Sequence, residues 1–306
     1  MLNLPNIAIA DYPGVQKASL YGLVDLFALI PRLDPTITAP HVQIAMPEAL
    51  PTTLATAVIF PASLDGSRGN PAHPMTDWLR QQHAQGAIAC SVCAGAFWLG
   101  HAGLLAGRPV TTHWALEQDF RARFPDADLQ AEHILIDDHD VITAGGLMAW
   151  VDLGLHLTGL WYGGEMVSQL ARHLLVDPAG REQRNYSSFR PLRDHGDAAI
   201  LIAQRYIDQQ FQDILTVSDL AAQAGVPLRS FNRRFQKATR HSPAAYLQAL
   251  RVEKARGALE RGNKSVAQIA WAVGYRDIPA FGRAFRSVTG LTPGAYRARF
   301  RTGSPL

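Results

Sequence analysis

Residues 265–293 read SVAQIAWAVGYRDIPAFGRAFRSVTGLTP, and most positions in the run have a physical task. Ser265 is placed to cap a short helix by accepting its orphan N–H groups. Ile269 and Ala270 give that helix an apolar face, and Gly274 supplies a turn. A second helix follows, with Phe281 and Phe285 at i and i+4 turned inward. Its other face carries Arg283 and Arg286. Thr292-Pro293 then opens a further helix, with proline at the favoured first position.

The same unit occurs a second time, nearer the N-terminus. A shift of 50 residues places Phe231 on Phe281, Arg233 on Arg283, Phe235 on Phe285 and Thr239 on Thr289. Ser242, Pro243 and Tyr246 likewise fall on Thr292, Pro293 and Tyr296. At a shift of 49, Leu220, Ala221 and Gly225 fall on Ile269, Ala270 and Gly274. One supersecondary unit has been used twice. Ser218 is the expected cap of the first copy, and Arg229, Asn232 and Arg233 line the outer face of its second helix. Two short helices joined by a glycine turn, the second basic on one side, make a helix-turn-helix. The helix from Ala244 to about Glu260 separates the two units.

Charge follows the same division. From Gly196 to Leu306 the chain holds 17 Lys plus Arg and 7 Asp plus Glu, a balance of +10. The remainder holds 12 basic and 19 acidic residues, a balance of −7, so the overall +3 conceals two halves. A concentrated positive field points to a polyanionic partner.

The first 160 or so residues have another rhythm. Apolar β-rich runs at 6–10, 41–46, 56–60, 87–92, 108–114, 133–137 and 140–146 alternate with helical patterns near 20–29, 74–85, 94–102, 115–123 and 148–162. Such alternation implies parallel strands with right-handed crossovers, an α/β sandwich. Residues 177–195 are polar, carry two prolines and lack either period, so they read as a linker. The division is therefore 1–176, a linker at 177–196, and an all-α double helix-turn-helix domain at 197–303.

Within the first half, Cys93 follows a strand and precedes Ala94-Gly95-Ala96, which permits a sharp turn into a helix. A thiol at a helix N-terminus is favoured as thiolate. His113 closes the run PVTTHW, and a cysteine and a histidine at neighbouring strand ends can form a nucleophile–base pair. Gly145-Gly146 ends a strand at the edge where open α/β sheets bind ligands. Cys90 lies inside the strand, so the C-x-x-C at 90–93 is not read as a redox pair. A zinc site needs four ligands, and two cysteines with scattered histidines such as His133, His139 and His156 do not supply them. No metal or cofactor is expected. Asp152 reads as a structural acid, Trp114 and Trp150 as packing, and Gly163-Gly164 as a helix stop. No apolar run approaches the roughly 18 residues of a membrane span. With no secretory pattern and two cysteines, a cytoplasmic setting is expected.

Two resemblances rest on these residues. The region from about Ala199 to Phe300, above all residues 265–293, resembles the AraC/XylS DNA-binding domain. That resemblance implies base reading by Arg229, Asn232 and Arg233, with Ser230 beside them, in the first unit. In the second, Pro279, Ala280 and Gly282 stand where longer polar readers often occur, leaving Arg283 as the main candidate, and the unit is expected to anchor on phosphates through Arg283 and Arg286. The first half is similar to the PfpI-like domain of the class I glutamine-amidotransferase fold, which is flavodoxin-like. The match runs through YPGVQ (12–16), VDLF (24–27), residues 91–114 and ITAGGLMAWVDLGLHL (142–157). Together they resemble GlxA-type transcription regulators. Promoter DNA, an unidentified small-molecule effector, a homodimer and, as a conceivable further partner, RNA polymerase are what this implies. The implied ligand site comprises Cys93, His113, Gly14, Gly145 and Gly146. Active relatives carry a carboxylate where Gln16 stands here, with Asp11 and Asp25 the nearest acids. A non-catalytic sensor is therefore expected, and a Cys93-dependent hydrolase or hydratase with a DNA-binding appendage is the alternative.

Overall fold

In a computed structural model, which describes residues 4–66, 68–178 and 180–301, the chain divides after Arg184 into two units. The first contains β1 (Asn6–Ala10), α1 (Lys17–Ala28), α2 (Ile30–Leu33), β2 (His41–Ala45), β3 (Ala57–Phe60), α3 (Pro74–Ala84) and β4 (Ile88–Val92). It continues with α4 (Ala96–His101), β5 (Pro109–Val110), α5 (Glu117–Arg123), β6 (Asp128–Leu129), β7 (Leu135–Asp138), β8 (Val141–Ala144) and α6 (Trp150–Leu174). Among the described residues one six-stranded sheet has the order β2-β1-β3-β4-β8-β7. Ile7, Ala8, Ile9 and Ala10 are all fully buried, so β1 is covered on both faces. That is why its sequence is a continuous apolar run rather than an alternation. The sheet is flavodoxin-like α/β, as expected. β1 pairs in parallel with β2 on one side and β3 on the other. The crevice outside the carboxyl ends of β1, β3 and β4 is the usual ligand position in such a sheet.

Several elements differ from the sequence reading. β7 and β8 pair antiparallel, with Leu135 opposite Ala144. Only His139 and Asp140 connect them, too few for a crossover, and His139 takes a left-handed φ of 65° to make the turn. The expected strand at 108–114 stops at Val110 because the Thr111 amide turns to the Thr143 hydroxyl, 2.8 Å away. What remains, β5, pairs with β6 in a separate two-stranded sheet. The helix expected to stop at Gly163 bends there, at φ 83° and ψ 171°, and resumes to Leu174.

The second unit is helical: α7 (Ala198–Gln210), α8 (Val217–Gln223), α9 (Leu228–Thr239), α10 (Pro243–Arg261), α11 (Val266–Ala272), α12 (Ile278–Thr289) and α13 (Pro293–Phe300). The duplication extends to single bonds. Ring centroids of Phe231 and Phe235 lie 5.5 Å apart and those of Phe235 and Tyr246 5.4 Å. The second copy repeats this with Phe281–Phe285 at 5.6 Å and Phe285–Tyr296 at 5.4 Å. Thr239 and Thr289 each donate to the carbonyl four residues back at 2.8 Å. Ser242 and Thr292 each cap the next helix at 3.2 Å. One correction concerns the first unit's cap. Thr216, not Ser218, accepts from the Asp219 amide, and the Asp219 side chain returns the bond. Ser218 lies one position inside α8.

The two copies have separate cores that share α10. Tyr246 and Leu250 close the first, with Ile200, Ile207, Phe231 and Phe235. Val252, Ala255 and Leu259 close the second, with Ile269, Phe281 and Phe285. The polar segment read as a linker is anchored along its length. Gln183 is buried in the first unit, and Phe189 donates its amide to Glu253 at 3.1 Å in the second. Phe285→Ala is expected to cost about 3–5 kcal/mol. Arg240 closes α9 at φ 61°, where the second copy has Gly290 at φ 75°. Arg240→Gly is therefore expected to stabilise the chain by about 1 kcal/mol. Urea unfolding of both variants checks the pair.

Candidate nucleic-acid interface and the Cys93 elbow

The two second helices are strongly amphipathic. On α9 the inner stripe is Phe231, Phe235 and Ala238, and the outer stripe is Arg229, Asn232 and Arg233, all exposed. The positions i, i+3 and i+4 bring these three onto one face. Gln236 extends the same stripe, seven residues after Arg229, and is exposed. The sequence reading passed over it, although the spacing alone would have found it. Ser230 is half-buried, and its hydroxyl donates to the Pro227 carbonyl at 2.9 Å, so it fixes the helix start. Arg234 faces elsewhere and pairs with Asp197 at 2.7 Å.

On α12 the corresponding stripe is Pro279, Gly282, Arg283 and Arg286. Arg283 is 74% exposed and lies 3.8 Å from Asp277, which is also exposed. Such a surface pair is worth at most about 1 kcal/mol and leaves the guanidinium free for a stronger partner. Asp277 caps the helix at the Ala280 amide, 3.2 Å away, whereas α9 begins at Pro227 with no side-chain cap. The uncapped amides of α9 and its arginines therefore present a more positive helix end than α12 does. Among the described residues nothing within 4 Å would meet a Cβ at Gly282, so its smallness answers to no neighbour there.

The second site lies in the first unit. Cys93 follows β4 in a left-handed conformation at φ 54° and opens a short 3-10 turn before α4. Gly95 allows this turn to nest against β3, since a Cβ there would come within 2.1 Å of the Phe60 carbonyl. The expected thiolate is not what this geometry favours. Cys93 is 3% exposed, and burial pushes its thiol up to about 11. The amides of Ala94 and Gly146 and the charge of Arg68 pull the other way without overcoming burial. At pH 7 about one molecule in 10⁴ then carries the thiolate. Cys90 is also free and wholly buried, with its thiol raised further.

The other expected ligand residues divide. Thr112 donates to the Cys93 carbonyl at 2.7 Å, which brings the segment holding His113 to the elbow. His113 itself caps the following turn, its Nδ1 accepting from the Ala115 amide at 3.0 Å. Gly146 turns its amide toward the thiol. Gly145 does not serve as a ligand amide. Its N–H is committed to the Ile134 carbonyl at 2.7 Å, and the Gln183 side chain fills the space before it. Gly14, at φ 81°, lines a cavity of about 300 Å³ with Asp11, Tyr12, Lys17, Met46 and Glu48. Tyr12 lines this cavity, and burial, with a smaller contribution from Cys93, pushes its hydroxyl up. Asp11 is held by Lys17 at 2.8 Å, and Asp25 is exposed on α1. Gln16 is buried, and its Oε1 finds no partner among the described residues. Among those residues no cluster of His, Cys, Asp and Glu could hold a metal ion, and no helix is long and apolar enough to cross a membrane.

Comparison with known proteins agrees with both halves. Residues 220–299 match the helix-turn-helix domain family, and residues 59–159 match the DJ-1/PfpI family. The HTH-type transcriptional regulator ArgR of Pseudomonas aeruginosa is 30% identical over 231 residues, 74% of this chain and 69% of that protein. The chain belongs to this family of AraC-type helix-turn-helix transcriptional regulators. The regulator GlxA of Rhizobium meliloti is 27% identical over 239 residues, 73% of this chain and 72% of that one. Drosophila melanogaster DJ-1beta is 18% identical and covers 57% of this chain and 99% of its own, with a TM-score of 0.47.

Three outcomes are expected of the regulator's sites. Arg233→Ala should cost about 1–3 kcal/mol on a selected duplex and relax its sequence preference. Arg286→Ala should weaken all sequences alike and reduce the salt slope by about one. Fluorescence anisotropy across a salt series separates the two. Alkylation of Cys93 by iodoacetamide, followed by mass spectrometry, should be about 100-fold slower at pH 7 than that of an ordinary thiol. It should rise about tenfold per pH unit up to pH 10, because only the thiolate reacts.

Proposed function

We propose that this DNA-binding transcription regulator is controlled by a small molecule bound in its first unit, at the carboxyl edge of the sheet beside Cys93. The supporting observation is an enzyme-like elbow held in a form unsuited to turnover. The elbow combines a sharp turn, a left-handed cysteine and a facing Gly146 amide. Burial keeps the thiol protonated, and by the family resemblance Gln16 stands near the place where active relatives carry a carboxylate. A nucleophile needs an activating base or a lowered pKa, and burial raises that of Cys93. The reading is therefore a sensor without catalysis.

The second unit engages promoter DNA through both basic helices, with most base reading by Arg229, Asn232 and Arg233. Gln236 joins them on this reading. The effector, the homodimer and any contact with RNA polymerase rest on likeness to the family, as fold-level analogy.

The test uses the full chain and a duplex it selects from a random-sequence pool. Addition of the small-molecule fraction of a cell extract should change affinity about fivefold or more, the usual size of allosteric coupling. Unchanged affinity in every fraction, with the duplex still bound, would exclude effector control and leave a constitutive binder.

A further inference from the structure

Gln183 is 2% exposed, although it lies in a polar stretch that sequence alone reads as a linker. Its side chain is fully used. The two Nε2 hydrogens face three acceptors, the Thr112 carbonyl at 2.7 Å, the His133 carbonyl at 2.9 Å and the Thr111 hydroxyl at 3.1 Å, so one hydrogen is shared. Oε1 accepts from the Trp114 amide at 3.0 Å. The backbone is tied as well, for the Gln183 amide donates to the Glu132 carbonyl at 2.8 Å. The Thr112 that Gln183 holds by its carbonyl donates its own hydroxyl to the Cys93 carbonyl at 2.7 Å. Gly145 belongs to the same knot. A Cβ there would come within 1.9 Å of Gln183 Nε2 and 2.7 Å of the Thr112 carbonyl. Its neighbour Gly146 faces the thiol.

Two residues further on, Asn185 donates to the Thr289 carbonyl at 2.8 Å, at the end of the second recognition helix. The chain thus passes from a side chain anchored beside the elbow to one anchored at α12 with a single residue between them. We propose that Gln183 is the coupling residue of this regulator: it transmits the position of the Cys93–Thr112 segment to the strand of chain that enters the DNA-binding unit. The proposal rests on effector control by the first unit.

The physical ground is that a buried amide cannot trade its partners for water. Breaking the set leaves several polar groups unsatisfied at once, each costing about 1–3 kcal/mol. The knot therefore stays closed or opens as a whole, and it does not yield gradually. A ligand that shifts Thr112 or Gly146 acts on a two-state clasp. Linkage makes the effect reciprocal: DNA held by the second unit must alter the clasp to the same extent.

That reciprocity supplies a test that needs no effector. Amide hydrogen exchange is followed by mass spectrometry on the full chain, free and bound to its selected duplex. In the wild-type chain, DNA should change exchange in residues 111–115, which include the Trp114 amide on Gln183, about fivefold or more. In Gln183→Ala that change should vanish while the duplex is still bound. Thr112→Val, which keeps shape and the Gln183 bond to the carbonyl, guards against misfolding of the first variant. It should retain the response at 111–115 and lose it at 93–96. A response that persists unaltered in Gln183→Ala overturns the coupling role alone. No response anywhere in residues 93–146 of the wild-type chain overturns control by the first unit, and the proposal with it.

Discussion

The second unit depends on one helix shared by two cores. α10 gives Tyr246 and Leu250 to one helix-turn-helix and Val252, Ala255 and Leu259 to the other. Because the residues serving each core lie on successive stretches of a single rod, the two recognition helices cannot move apart without breaking a core. The helix has 19 residues, so it is about 28 Å long. Successive major grooves on one face of DNA lie about 34 Å apart. A spacer of that length, carrying a basic helix near each end, suits two consecutive grooves. Ser242-Pro243 starts the rod with a side-chain cap, and the buried Arg256 bonds the Ser187 carbonyl and so ties the incoming chain to it.

The two copies share a frame and differ at its surface. Their aromatic pairs and threonine back-bonds repeat the same contacts, so those positions serve the fold. The outer faces diverge. α9 offers Arg229, Asn232, Arg233 and Gln236, whereas α12 offers Pro279, Gly282, Arg283 and Arg286 at the same places. On the proposed reading, the long polar side chains of one unit read sequence and the two arginines of the other anchor on phosphate.

Much of this was legible in the sequence, and what was not has physical causes. The duplication, the inward phenylalanines and the Ser/Thr-Pro starts are local or periodic, so spacing reveals them. Thr216 and Ser218 are both good caps, and only the geometry of the Asp219 return bond chooses between them. β5 was overestimated because Thr111 and Thr112 look like strand residues, while their hydrogen bonds go to Thr143, His133 and Cys93. The neutral Cys93 was illegible for a related reason. A helix start favours thiolate locally, but burial decides the outcome, and Tyr12 and Arg68, which bear on the thiol, lie far away in sequence. Gln183 escaped notice because its partners come from residues 111–114 and 133, and a polar stretch gives no hint that one of its side chains is buried.

Hydroxyl-radical footprinting of the full chain on its selected duplex tests the central claim most directly, since the rigid spacer fixes where two helices meet the backbone. The account requires two protected patches on one face of the duplex, centred about 10 base pairs apart. The patch assigned to α9 should disappear in Arg229→Ala/Arg233→Ala, and the other should remain. A single patch, or two whose separation varies from one bound site to another, would contradict it.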